Sequence, residues 1–117
     1  LGEAFHITSD EVLTWNQIYQ TIASTLGVEA KIVHIPSDFI VKMASQFTGS
    51  LYGDKMWSTV FDNNKIKSFV PGFQARIPFN EGIRQTVEWF EADESRQFIN
   101  EEVNAEMNRI IRAYSAT

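Results

Sequence analysis

Apolar residues recur along most of this chain at the three- and four-residue spacing of helices that face a core. Thr14-Trp15-Asn16-Gln17 has the form of a capping box, in which a threonine hydroxyl and a glutamine side chain satisfy two orphan backbone N–H groups. Ile18, Ile22 and Leu26 then repeat every four residues, and Gly27 stands where a left-handed cap needs no Cβ, so a helix is predicted between them. On either side lie short strand-like runs, Ala4-Phe5-His6-Ile7 and Lys31-Ile32-Val33-His34-Ile35, the second stopped by Pro36. Strand, helix and strand in this order predict a βαβ unit with parallel strands and a right-handed crossover.

Beyond Pro36 the pattern is helical again. Phe39, Ile40, Met43, Ala44 and Phe47 predict a helix opened by Ser37 and closed before Gly49, followed by irregular chain from Ser50 to Phe61. Asp62 is placed to cap a short helix over 63–67 that must end before Pro71-Gly72. Phe79, Ile83, Val87 and Phe90 mark the apolar stripe of another helix, whose Gly82 suggests the close approach of a second backbone. Ile99, Val103, Met107, Ile110 and Tyr114 mark a terminal amphipathic helix across Ser95–Tyr114, within the tail 93–117. The expected fold is α/β: a small, mainly helical single domain over 1–117, with four to five helices and a short parallel sheet from the βαβ unit.

Composition narrows the function. The chain has 117 residues with 44% apolar positions, nine Phe and three Trp, enough for one core, and no cysteine for a disulfide, thiolate metal site or catalytic thiol. Its net charge of −5 argues against nucleic acid as a partner, because that affinity comes largely from Lys and Arg displacing counterions. No apolar run is long enough to span a membrane, and the start lacks the basic region of a secretory signal, which leaves the cytoplasm as the default location. The start at Leu1, without an initiator Met, reads as a piece cut from something longer.

The candidate chemistry is sparse. The six glycines form no G-x-G-x-x-G or P-loop, and no G-x-S-x-G presents a nucleophilic serine. His6 and His34 with Asp10 or Asp38 have metal-ligand chemistry, but half-buried strand histidines are the ordinary reading, and no metal is expected. The acidic pairs at 10–11, 93–94 and 101–102 fit helix starts and solvated faces better than a carboxylate dyad. Tyr52-Gly53-Asp54-Lys55-Met56-Trp57-Ser58 is the stretch least explained by packing. There Lys55 suits an anionic group, Trp57 a flat ring, and Asp54 a hydroxyl or the orientation of Lys55. A plain surface loop with Trp57 tucked against the core is the competing reading.

Several segments together resemble the C-terminal part of the extended short-chain dehydrogenase/reductases, the NAD-dependent epimerase/dehydratase family. They run from Gly2-Glu3-Ala4-Phe5-His6-Ile7 through Leu13-Thr14-Trp15-Asn16-Gln17-Ile18, Leu26-Gly27, Ile32-Val33-His34-Ile35-Pro36 and Gly53-Asp54-Lys55. Phe61-Asp62-Asn63-Asn64-Lys65-Ile66-Lys67, Pro71-Gly72-Phe73 and Phe79-Asn80-Glu81-Gly82-Ile83-Arg84-Gln85-Thr86-Val87-Glu88-Trp89 complete the series.

The resemblance implies the substrate-binding domain of an NAD(P)-dependent epimerase, dehydratase or reductase acting on a hydroxyl or keto substrate, with a nucleotide-sugar as one such substrate. It implies that NAD or NADP and the Tyr-x-x-x-Lys pair belong to an N-terminal Rossmann domain absent from this chain, which is then its principal partner. Consistent with that division, Tyr19, Tyr52 and Tyr114 have no lysine four residues later. No catalytic or cofactor-binding residue is therefore assigned here, and the substrate-binding candidates are Asp54, Lys55 and Trp57. Many relatives place an arginine after the Gly-Asp; Lys55 is a point charge without the bidentate fork. Dimers in this family form through the Rossmann domain, so a homodimer is a property of the parent. A domain cut from its partner should expose an apolar patch, here expected around 36–60 and 71–79. The alternative is a stand-alone binding or interaction domain that kept the fold without catalysis.

Overall fold

Helix α1, Trp15–Thr25, starts where the sequence places its cap. Gln17 N–H donates to the Thr14 hydroxyl oxygen, and Thr14 N–H donates to Gln17 Oε1 at 2.8 Å. It stops at Gly27, whose φ of +69° lets Gly27 N–H reach the Ser24 carbonyl and Val28 N–H reach that of Ala23, a Schellman closure. The computed structural model describes residues 2–116. Within them the remaining α-helices are α2 (Ser37–Met43), the single turn α3 (Thr48–Ser50), α4 (Asn64–Phe69), α5 (Phe79–Glu91) and α6 (Glu101–Ser115). No helix among the described residues is long and apolar enough to cross a membrane.

The architecture corrects the expected α/β class: no strand or sheet forms among the described residues, and six helices replace the predicted four to five. Both β-branched or aromatic runs form no regular secondary structure and enter no ladder. High strand propensity reflects a fit to a neighbouring strand, and neither run finds one. The first is tied instead by side chains to α4. Phe5 meets Phe69 edge-on at 5.1 Å, Lys65 sits over the Phe5 ring and pairs with Glu3 at 2.6 Å, and the Asn63 amide donates to the Thr8 carbonyl at 3.0 Å.

The chain divides into two compact units, each discontinuous in sequence. The first consists of the chain up to Ala30 together with Val60–Gln97. Here α1 packs on α5, and Ala23 and Ile66 are buried. Asn63, at the start of α4, is the one buried polar residue among those described; its amide also donates to Asp10 Oδ1 at 2.9 Å. Asp62 lies one position further out than a cap, yet its carboxylate still accepts from Asn64 N–H at 2.8 Å. The first N–H of α5, from Phe79, donates to the Glu11 carboxylate at 2.7 Å. One member of an acidic pair thus sits at a helix start, where the positive end of the dipole favours it.

The second unit consists of Lys31–Thr59 and the chain from Phe98 onward. Here α2 packs on α6, with Phe39 edge-on to Tyr114 and with Ala44 and Ile110 buried. The helix predicted through Phe47 breaks at Ala44. A continuing helix would bring Phe47 N–H to the Met43 carbonyl, but Arg109 of α6 donates to that carbonyl at 2.7 Å, and Phe47 turns back to Ala44. The terminal helix starts later than predicted, at Glu101, because Asn100 caps it through Val103 N–H while Glu94–Arg96 forms a separate 3₁₀ turn.

Gly82 is a second correction. A Cβ built there would meet only the Ile77 side chain at 3.7 Å, an ordinary contact, so no neighbouring backbone demands a glycine. Gly82→Ala is therefore expected to stabilise the first unit by about 0.5–1 kcal/mol, read as a raised denaturation midpoint.

Lys67 Nζ, 2.6 Å from Asp10, and the Asn63 amide hold the Asp10 carboxyl below the usual aspartate range. Because the folded value is depressed, this tie persists at neutral pH and is lost as pH falls through that lowered value. Carboxyl NMR titration should show Asp10 protonating at lower pH than a free aspartate, and Lys67→Met should move it back up.

Candidate functional site

All three candidate residues lie in the second unit, Asp54 and Lys55 on one wide turn and Trp57 two residues beyond its end. Leu51–Lys55 form a single π-helical turn, closed by Met56 N–H donating to the Leu51 carbonyl at 3.1 Å, five residues back. Such turns carry one residue more than an α-helical turn and are frequent at functional sites. Trp57 N–H then closes on the Asp54 carbonyl at 3.1 Å.

Lys55 and Asp54 form an ion pair with each other, with side chains 53% and 61% exposed. At that exposure the pair is screened and adds little stability, so its charges remain available to a third group. Trp57 is 63% exposed, which removes the alternative in which it tucks against the core. Its indole N–H is nevertheless fixed, donating to the Tyr52 carbonyl at 2.7 Å. Tyr52 is held in turn, its phenol donating to Asp38 Oδ1 on α2 at 2.7 Å. That bond to a carboxylate, with some desolvation and the neighbouring negative charge, pushes the Tyr52 hydroxyl above its ordinary range.

In the sequence Tyr52 stands out as a member of the stretch and as a tyrosine without a lysine four residues on, and Asp38 as a carboxylate beside the histidines. Their bond joins residues 14 positions apart, and neither spacing nor residue type announces it.

Other surfaces offer less. The groove along α1 lined by Gln17, Gln20, Thr21, Ser24, Thr25 and Asn80 is made partly of groups already engaged. Thr21 and Thr25 donate to carbonyls of their own helix, and Gln17 belongs to the capping box. His6 stacks edge-on against Phe61, and among the described residues no three His, Asp or Glu are placed to hold a metal ion.

The residues present do not fit a dinucleotide either. The chain has no glycine-rich phosphate loop, and the N-termini of α1, α5 and α6 are occupied by Thr14, Glu11 and Asn100, leaving those helix starts capped by protein oxygens. Family models, curated proteins and solved structures were all compared with this chain, and none matches it.

Asp38→Ala should lower the pH at which Tyr52 ionises, seen in the ultraviolet difference titration of the tyrosines. The phenol is protonated below its raised value, so the bond to Asp38 stands at neutral pH and is lost as pH rises through that value; removing the carboxylate removes the bond at every lower pH.

Proposed function

We propose that this chain is the substrate-binding domain of an NAD(P)-dependent epimerase, dehydratase or reductase, and that the turn from Gly53 to Trp57 receives an anionic, ring-bearing substrate such as a nucleotide-sugar. The observation that carries this reading is the turn itself. One short segment presents an exposed cation, a neighbouring carboxylate and an exposed indole of fixed orientation, at the Gly-Asp-Lys that the family resemblance marks.

A further feature supports it. The chain exposes 9512 Å²; a monomer of its mass is expected to expose about 6,500 Å², and two separate bodies of these units' sizes about 7,800 Å². Large apolar side chains contribute heavily, including Ile7, Val33, Trp57, Phe61, Ile77 and Phe98, and the exposure extends well beyond 36–60 and 71–79.

In this reading the cofactor, NAD or NADP, supplies the hydride chemistry and is held by the parent's other domain. The residues here bind and orient. Lys55 meets the substrate's negative charge as a point cation, Asp54 offers an oxygen to a hydroxyl, and Trp57 stacks on a ring. Such positioning raises rate by geometry without performing a chemical step.

The test is calorimetric titration of the parent polypeptide with NAD, NADP and a panel of nucleotide-sugars, with and without Lys55→Ala. A loss of about 1.5–3 kcal/mol for the anionic substrate alone is expected. Cofactor binding with no effect of Lys55→Ala on any nucleotide-sugar would remove the site. A coding sequence with neither a glycine-rich loop nor Tyr-x-x-x-Lys upstream of Leu1 would remove the enzyme and favour the stand-alone binding domain.

A further inference from the structure

We propose that Asp38 and Tyr52 are positioning residues that aim the indole of Trp57. This rests on the reading of the 53–57 turn as a binding site, but its physical content is independent of the ligand.

The argument begins with the register of the turn. In a regular α-helix the Tyr52 carbonyl would accept from Met56 N–H, four residues on. Here Met56 N–H reaches past it to Leu51, and Trp57 N–H goes to Asp54. The wide turn therefore frees the Tyr52 carbonyl, and the Trp57 indole N–H takes it at 2.7 Å. The same residue is anchored at its other end, where the phenol donates to Asp38 Oδ1 at 2.7 Å. Tyr52 thus bridges α2 and the indole, with its side chain holding one and its main chain the other.

Two consequences distinguish this from a packing role. Trp57 is 63% exposed, so packing alone does not fix its ring; the hydrogen-bonded bridge does. With its one N–H already used, the indole presents only ring surface, so this subsite recognises a flat partner by stacking and reads no hydrogen-bond pattern. Asp38 acts on the ligand only through Tyr52.

The experiment is time-resolved fluorescence anisotropy of Trp57, made the sole fluorescent indole by Trp15→Phe and Trp89→Phe. Tyr52→Phe and Asp38→Ala should each raise the ratio of freely swinging to anchored indole by about three- to tenfold, the effect of losing one ordinary hydrogen bond. Asp38→Asn, whose amide oxygen still accepts from the phenol, should stay near the parent value. Circular dichroism checks that the helices persist; if Asp38→Ala unfolds, Tyr52→Phe, which deletes a single oxygen, decides the matter. Unchanged motion in Tyr52→Phe, or Asp38→Asn as mobile as a folded Asp38→Ala, overturns the proposal. The measurement needs no ligand. An anchored indole combined with no Lys55 dependence in the titration of nucleotide-sugars would refute the functional reading and leave the positioning standing.

Discussion

Very little of this protein is deeply buried, and that constraint shapes everything else in it. Ala23, Ala44, Ile66 and Ile110 are its buried apolar residues among those described, and none of them is fully enclosed. Burial at about 25 cal/mol per Å² rewards any apolar contact without discriminating between them. Which segments meet is consequently decided by long-range polar ties. The buried amide of Asn63 fastens the N-terminal run to α4, Glu11 caps α5, and Arg109 takes the Met43 carbonyl. A buried amide is costly without partners, so the Asn63 bonds select this arrangement more sharply than the methyl contacts around them.

The helices were legible because their signals are local. Thr14 with Gln17, Gly27 with its positive φ, and the stripe through Phe79, Ile83 and Val87 each act within a turn or two, and the corresponding structures are present. The strands were misread for the complementary reason. Runs such as Lys31–Ile35 favour extended backbone, but a sheet requires a partner at the right place, and β-branching carries no information about one. The break at Ala44 was equally invisible, since it depends on an arginine 66 positions beyond Met43. Gly82 misled in another direction: a glycine inside a helix suggested crowding that its neighbours do not impose.

The site was legible in its composition and opaque in its construction. Asp54, Lys55 and Trp57 stand out because an exposed indole beside a charge is hard to explain as packing. That Asp54 and Lys55 lie on a π-helical turn with Trp57 two residues beyond it, and that the turn liberates a carbonyl for the indole, follows from a register shift of one residue that no spacing rule encodes. Exposed aromatic and charged groups gain specificity only when something restricts their motion, and here the restriction comes from main-chain geometry and one phenol.

The interleaving of the two units bears on how the chain reaches this state. Neither is contiguous: the first needs residues on both sides of 31–59, and the second needs α6 at the far end. A polypeptide emerging from the ribosome therefore completes neither body early. Residues 2–30 wait for α4 and α5, across a separation of 55 residues between Thr8 and Asn63, and α2 waits for α6. Closing such loops is entropically uphill and comparatively slow. Until its partner is made, α2 has no α6 to pack on and the N-terminal run has no α4, so both units form as late events of synthesis.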